Sequence, residues 1–293
     1  MSLLLDAFLI SILYAAFFSL MALGLNLMFG VMRVVNLAHG EFVAIGSYAA
    51  IYLYSYFAFN PVISLAIIVP LFLLIGFPLY FLLVPRLQKS DDPEMNSFIL
   101  FFGLAFFIEG IAVLEFGSTP RTLSFSNFRP LHVAFLGATI PFAWIVIAAV
   151  SLVFIVFSYL LIYRTGFGLQ VRALMANRYE AIANGVNVNL VSSVIFSLSI
   201  ALAAVAGVFS SLISFATTPD IGSTYTLISF AVIIIGALGN PLATVVGGIV
   251  FAFAYGYADI YIPQLSSIIP FLLLLIIILV KPAGLLGRLP REF

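Results

Sequence analysis

The sequence predicts an all-α protein, built as a polytopic bundle of transmembrane helices. Composition supports this prediction, because 64% of the 293 residues are hydrophobic and only 8% are charged. Soluble domains carry about a quarter charged residues, so a chain this apolar could not cover itself in water. Long apolar runs also recur along the whole chain, as expected of membrane helices. We therefore expect a multi-pass protein of the cell membrane, formed as a single domain over residues 1–293.

Nine apolar runs are candidates for membrane crossings. A crossing helix needs about 20 mostly apolar residues. Runs that meet or approach this length lie at 7–29, 37–57, 62–84, 97–116, 140–162, 190–214, 224–239, 241–258 and 264–280. The seventh run is short, and Gly239-Asn240-Pro241 separates it from the eighth. Those two could form a re-entrant pair, so we expect eight or nine crossings and favour nine.

Basic residues predict how the chain is oriented, since cytoplasmic loops carry an excess of lysine and arginine. One set of alternate loops holds nine of them: Arg33, Arg86, Lys89, Arg164, Arg172, Arg178, Lys281, Arg288 and Arg291. The opposite set, in an outer loop near 117–139, holds Arg121 and Arg129. We therefore expect the N-terminus outside and the C-terminus in the cytoplasm.

Small residues recur at every fourth position in two of the later runs. Helices in lipid gain no hydrophobic drive from meeting each other, so small residues at the contacts allow close packing. We expect both rows to be ordinary packing stripes. They are Ser199-Ala203-Gly207-Ser211 and Gly239-Ala243-Gly247.

A polar cluster lies where the first two helices are expected to join on the cytoplasmic side. Ionisable groups this close to lipid are candidates for function, here a gate or coupling element at the inner mouth of a transport path. The structural alternative is a turn in which Asn36 caps the second helix and Arg33 pairs with Glu41. The sequence leaves both open. We call these residues the inner-mouth element: Arg33, Asn36, His39, Gly40 and Glu41.

A carboxylate, Glu109, lies inside the fourth apolar run. It is costly there unless it faces a watery cavity, finds a partner or stays protonated. Lining of a transport path and a hydrogen bond between helices are equally compatible with the sequence. Asn26, in the first run, is a second candidate for the path.

The loop 163–189 is long and expected to be cytoplasmic. Residues 169–184 have a helical pattern that ends at Gly185, a plausible C-cap. An exposed helix between two membrane helices suits docking into a groove of a partner protein, whereas a solvated linker is the alternative.

Catalytic chemistry is not expected. The chain has no cysteine and two histidines, His39 and His132, which removes thiol nucleophiles, disulfides and the usual metal constellations. A phosphate-binding loop needs Gly-Lys-Ser/Thr, but Lys89 follows Gln88 and Lys281 follows Val280. We expect no enzyme activity and no cofactor in this chain. The balanced charge gives no indication of nucleic acid, and none is expected as a partner.

Three segments resemble the permease family of branched-chain amino acid ABC importers, and the resemblance covers nearly the whole chain. Its most specific part is Gly24–Phe42, in which Asn36-Leu37-Ala38-His39-Gly40-Glu41 is typical of the H-type subunit. A second match is Gly236-Ala237-Leu238-Gly239-Asn240-Pro241, followed by Gly247-Gly248. The third is the 163–189 loop, which resembles the segment that contacts the ATPase in ABC importers.

Within that loop the resemblance implies a specific set of coupling residues. They are Arg172, Ala173, Glu180, Ala181 and Gly185. One departure from the general importer motif is that Gly185 follows Glu180 by five positions rather than six. This departure concerns the exact contact with the ATPase and not the role of the loop.

The resemblance also implies the activity and the partners. The chain would be a membrane-spanning subunit of a binding-protein-dependent importer of branched-chain or related amino acids. Its partners would be a second, M-type permease, two cytoplasmic ATPases that use ATP and magnesium, and an external solute-binding protein. The outer loop 117–139 would either dock this binding protein or be a plain solvated loop. The alternative is an ion-coupled secondary transporter or channel that acts without an ATPase, with Glu109 as its cation site.

Overall fold

The computed structural model describes residues 2–122, 132–135, 138–213 and 216–287. These residues form mainly α-helices, with a short antiparallel hairpin between the fourth and fifth helix. The helices are α1 (Ser2–Met32), α2 (His39–Phe57), α3 (Pro61–Leu87), α4 (Pro93–Phe116), α5 (Phe142–Arg164), α6 (Gly166–Ala176), α7 (Arg178–Ala183), α8 (Val188–Ile213), α9 (Ile221–Gly236), α10 (Pro241–Tyr261) and α11 (Ile269–Val280). The hairpin strands are β1 (His132–Phe135) and β2 (Ala138–Pro141), and a 3₁₀ turn occupies Pro263–Leu265.

Six helices of the described residues are long and apolar enough to cross a membrane: α1, α3, α4, α5, α8 and α10. The other three predicted runs also fall on helices, but α9 has 16 residues and α11 has 12. The prediction of an all-α polytopic bundle is therefore confirmed. The hairpin lies in the predicted outer loop, whereas residues 123–131 and 136–137 of that loop lie outside the described residues.

Helix α8 forms the centre of the bundle, with α1 beside it. In the most apolar stretch of α8, 94% of the residues are buried by the rest of the chain, compared with 22% in the corresponding stretches of α3, α4 and α5. The first small-residue row lies at the contacts of α8 with α1 and α2. Ser199 donates its hydroxyl to the Gly24 carbonyl oxygen (2.6 Å), and a Cβ at Gly207 would overlap the Val43 carbonyl oxygen. The predicted packing stripe is confirmed.

The second row packs α9 against α10. A Cβ at Gly247 would overlap the Val232 carbonyl oxygen, and one at Gly236 would overlap the Ala243 carbonyl oxygen. Gly239, between the two helices, has a φ of +73° and approaches Gly30 of α1. Ala243 and Gly247 therefore form the expected packing stripe on α10, whereas Gly239 lies before the helix begins.

Segments that carry most of the basic residues converge at one end of the bundle, which we call the basic end. Met175 of α6 contacts Gly30 near the end of α1, and Arg178 donates to the Gln88 side chain (2.7 Å). The amide of Leu285 donates to the Ile235 carbonyl oxygen (2.9 Å). Three further basic residues, Arg129, Arg288 and Arg291, lie outside the described residues.

Helix α2 begins well inside the bundle rather than at the basic end. Nε2 of His39 donates to the carbonyl oxygen of Met21 (2.8 Å), eleven residues before α1 ends at Met32. At 1.5 Å per residue, this start lies about 16 Å from the end of α1. Residues 33–38 therefore lead the chain back into the bundle. The inner-mouth element lies at the join of α1 and α2 as expected, but only its Arg33 is exposed at the basic end. The expected position at the end of the bundle is wrong for the residues from Asn36 to Glu41, which lie at mid-depth.

Helix α9 starts at the same depth and runs the other way. Its residues Gly222 and Thr226 contact Gly40, and its last turn reaches the basic end at Ile235. By contrast, α2 runs to the opposite end, where Tyr48 stacks on Phe116 with 4.2 Å between ring centroids. The first turns of α2 and α9 thus meet in the interior, which we call the α2–α9 junction.

Candidate functional site

Backbone contacts hold the α2–α9 junction together. The amide of Gly40 donates to the Thr226 hydroxyl (2.9 Å), and the same hydroxyl donates to the Leu37 carbonyl oxygen (3.0 Å). A Cβ on Gly40 would overlap the Gly222 carbonyl oxygen and the Thr226 amide nitrogen. The two helix starts can approach this closely only because a glycine occupies position 40.

Glu41 is buried at this junction, with 2% of its surface exposed. Its carboxylate lies directly against the α-carbon of Gly222, and its Oε2 has no hydrogen-bond partner. Arg33 is exposed at the basic end, and no salt bridge joins the two among the described residues. The predicted Arg33–Glu41 pair is therefore wrong, because the two residues lie at different depths.

Asn36 and His39 complete the α2 side of the junction. The side-chain oxygen of Asn36 accepts the Ala38 amide (3.0 Å). The N-cap residue of α2 is Ala38, two positions after Asn36, so the expected cap by Asn36 is wrong. Both side chains are fully buried. Asn36 Nδ2 and His39 Nδ1 have no hydrogen-bond partner. The segment from Asn36 to Glu41 therefore places several buried polar groups at mid-depth in the bundle.

Two more carboxylates act on Glu41. Those of Glu109 on α4 and Asp220 at the start of α9 interact with it electrostatically. Asp220, Gly222 and Thr226 were not among the sequence candidates. The signal for them is Pro219-Asp220 followed by small polar residues, a common helix start. The transport role predicted for Glu109 stays a prediction, and the structure places this residue beside the junction.

Asn26 lies elsewhere, at the link between α9 and α10. The two N–H groups of its Nδ2 are shared among three acceptors, which are the carbonyl oxygens of Ala237 (3.1 Å) and Asn240 (2.9 Å) and the Thr244 hydroxyl oxygen (2.6 Å). Its Oδ1 accepts the amide of Gly239 (2.6 Å). The whole amide group is thus used to hold the link, and a place on a transport path stays a prediction.

The 163–189 loop forms two helices where one was expected over 169–184. Helices α6 and α7 are separated by Asn177, whose backbone is extended and whose side-chain oxygen accepts the Tyr179 amide (3.0 Å). The Asn177 side chain also donates to Glu180 (2.7 Å). The prediction of a C-cap at Gly185 is confirmed, since its φ is +82° and its amide donates to Ile182 (2.9 Å).

Some predicted coupling residues point back into the chain. Arg172 donates to the Ile162 carbonyl oxygen at the end of α5 (2.7 Å), and its guanidinium lies over the Tyr163 ring. Ala181 is buried and Ala173 is half-buried. The large apolar side chains that α7 presents outward are Tyr179 (85% exposed) and Ile182 (50% exposed), and the predicted coupling residue Glu180 is exposed beside them. The spacing of three residues between Tyr179 and Ile182 is the sequence signal that could have identified this exposed apolar surface, because it places both side chains on one face of a polar helix.

Two cavities lie near these elements. One of about 810 Å³ opens at the basic end between Phe29, Arg33, Met175, Gly239 and Pro282. The other, of about 160 Å³, is lined mainly by apolar and aromatic side chains and reaches the first turn of α9. Its walls include Phe17, Phe18, Phe251, Phe271, Ile221 and Thr224.

Comparison with known proteins supplies the family. The family model described as branched-chain amino acid transport system / permease component matches residues 7–278. The permease protein BraD of a high-affinity branched-chain amino acid transport system from Pseudomonas aeruginosa is 26% identical, with 92% of each chain covered. The probable branched-chain amino acid transport permease protein LivH from Methanocaldococcus jannaschii is also 26% identical, covering 94% of this chain and 90% of the relative.

Escherichia coli LivH, a high-affinity branched-chain amino acid transport system permease protein, is 23% identical with 92% and 91% coverage. No solved structure matches the chain. The family model alone accounts for most of the sequence and for each of the nine apolar runs except the last few residues of the final one. The chain is therefore a multi-pass cell-membrane protein that belongs to the family of branched-chain amino acid transport system permease components.

Proposed function

We propose that this chain is one of two membrane-spanning subunits of a binding-protein-dependent ABC importer that carries branched-chain amino acids into the cytoplasm. The observation behind the proposal is the family match over residues 7–278, supported by relatives whose names state this transport. An M-type permease, two ATPases and an external solute-binding protein complete the complex. ATP and magnesium are used by the ATPases, since this chain holds no phosphate-binding loop.

The basic end faces the cytoplasm in this proposal. Arg33, Arg86 and Lys89, the α6–α7 region and Lys281 share that end, which fits the excess of basic residues on the cytoplasmic side. The path of the chain between the two ends supports nine crossings, with the N-terminus outside. Helix α9, together with residues 216–220 before it, makes one of these crossings although α9 by itself starts at mid-depth.

Helices α6 and α7 form the contact with an ATPase. Tyr179 and Ile182 give α7 an exposed apolar surface that suits a groove of the partner. Arg172 fastens α6 to the end of α5, and Met175 contacts α1 at Gly30. A displacement of α7 by ATP binding is thereby passed to α5 and α1, and through α1 to the α2–α9 junction.

Reconstitution tests this function. The complete complex is placed in proteoliposomes, and uptake of labelled leucine is measured with the binding protein and with ATP on the ATPase side. Uptake must require both additions and must stop when the ATPase lacks the lysine of its phosphate-binding loop. Uptake by this chain alone, driven by an ion gradient, would overturn the proposal in favour of a secondary transporter.

A further inference from the structure

The first turn of α9 carries unused hydrogen-bond donors. The amides of Gly222 and Ser223 donate to no group in the described part of the chain, and the Asp220 side chain makes no capping bond. Such amides, together with the helix dipole, favour an anionic group. A carboxylate placed beyond this turn would satisfy them.

This turn is also polar and open at mid-depth in the bundle. Asp220, Ser223 and Thr224 are exposed, while Gly222 beside them lies against Gly40 in the interior. Unsatisfied amides and charged side chains at this depth cannot face lipid tails. The surface they form therefore faces either water in the transport path or the second permease across it.

A buried carboxylate without a partner adjoins the same turn. Glu41 is 2% exposed, its carboxylate lies against Gly222, and its Oε2 accepts no hydrogen bond. Glu109 and Asp220 add negative charge, and none of the three forms a salt bridge within the described residues. An unpaired buried carboxylate is costly, so this side of the turn favours a cationic group such as an ammonium.

An apolar cavity reaches the turn from its other side. Its volume is about 160 Å³, and aromatic rings such as Phe18 and Phe251 line it together with Thr224. A dry apolar cavity of roughly 150 Å³ can hold a molecule as large as benzene, so this one suits a branched aliphatic side chain. Gly222 and Thr224 lie about 200° apart around the helix, which places the cavity and Glu41 on different sides of the turn.

We propose that the α2–α9 junction binds the zwitterionic amino acid on its way through the permease. The free amides of α9 donate to the carboxylate group of the ligand, the Glu41 carboxylate accepts from its ammonium group with Glu109 nearby, and the aromatic cavity holds its aliphatic side chain. Binding at the start of an interrupted membrane helix follows a known pattern in transporters. The inference rests on the proposed function, because it assumes that an amino acid passes this chain.

A binding experiment with leucine and two of its analogues tests each part of this site. Labelled leucine is bound to the complete complex in lipid nanodiscs without the solute-binding protein, and two analogues compete: 4-methylpentanoate, which lacks the ammonium, and 3-methylbutylamine, which lacks the carboxylate. Each analogue should bind at least about tenfold more weakly than leucine in the wild type. Glu41→Gln should weaken the binding of leucine by about tenfold and leave the binding of 4-methylpentanoate unchanged.

The loss of discrimination in Glu41→Gln is the decisive readout, since a merely structural defect would weaken both compounds together. Glu115→Gln, an exposed carboxylate at the end of α4, is the matched control and should bind as the wild type. A variant that keeps the full preference for leucine over 4-methylpentanoate would overturn the assignment of Glu41. If Glu41→Gln does not assemble, the cavity variant below decides the outcome.

Ile228→Ala widens the aromatic cavity, which Ile228 lines. It should shift the preference of the complex from leucine toward phenylalanine by about tenfold. An unchanged preference would overturn the cavity assignment. If the wild-type complex shows ATP-dependent uptake while both variants keep wild-type selectivity, this inference fails alone. If the wild type takes up no amino acid, the proposed function itself fails.

Discussion

The imidazole of His39, the first residue of α2, donates to the carbonyl oxygen of Met21 in the middle of α1. This bond holds the start of α2 at mid-depth in the bundle. It also places the neighbouring Gly40 and Glu41 against α9 rather than at the cytoplasmic surface. This buried hydrogen bond between two helices therefore helps to fix the position of the candidate substrate site, together with the contacts of Gly40 with α9.

Replacement of His39 tests this dependence. His39→Ala should lower the free energy of unfolding by about 2–4 kcal/mol, because it removes a buried donor and leaves a cavity. Thermal unfolding of the purified complex in detergent measures the loss. His132→Ala, at an exposed position of β1, should change the midpoint little. An unchanged midpoint for His39→Ala would show that α2 is held by other contacts.

Glycine at position 40 permits the close approach of α2 and α9. Gly40→Ala should prevent the junction from forming, since a Cβ would overlap backbone atoms of Gly222 and Thr226. We expect a loss above about 3 kcal/mol and little assembled complex. Gly103→Ala is the control, because nothing lies within 4 Å of a Cβ there. Assembly and leucine uptake are measured, and wild-type uptake by Gly40→Ala would contradict the packing.

The amide of Asn26 holds the link between α9 and α10. Asn26→Leu should free residues 237–240, because it removes three hydrogen bonds to the link and one to Thr244 of α10, and leaves buried carbonyl groups unpaired. Hydrogen exchange of the link should become faster by about tenfold or more. Exchange at wild-type rates would mean that Asn26 does not hold the link and would return it to the candidates for the path.

Two residues of the coupling segment should behave differently. Tyr179→Ala should lower ATP-driven uptake by about tenfold without changing thermal stability, because Tyr179 is exposed and fits the contact with the ATPase. Arg172→Glu should instead lower stability by about 1–3 kcal/mol, since Arg172 bonds the Ile162 carbonyl. Uptake, ATP hydrolysis and thermal unfolding are measured together. Full coupling in Tyr179→Ala would remove α7 from the interface.

Most of the fold was predictable because its causes are local. The apolar runs correspond to helices, the row from Ser199 to Ser211 marks a packing face, and Gly185 ends α7 with a positive φ. The break at Asn177 was missed, since an asparagine is compatible with a continuous helix until its side chain caps a new one. The coupling residues inferred from the family stay predictions, and of these Arg172 and Ala181 contact their own chain.

The sequence by itself determined that this protein lies in a lipid bilayer and is α-helical. Composition and the length of the apolar runs are enough for both conclusions, because neither depends on which residues contact each other. The sequence also determined the family. Only the tertiary structure decided where the polar residues from Asn36 to Glu41 lie. Their depth depends on bonds such as that from Gly40 to Thr226, which joins residues 186 positions apart. No local pattern encodes such a contact, because its energy exists only when both helices are packed.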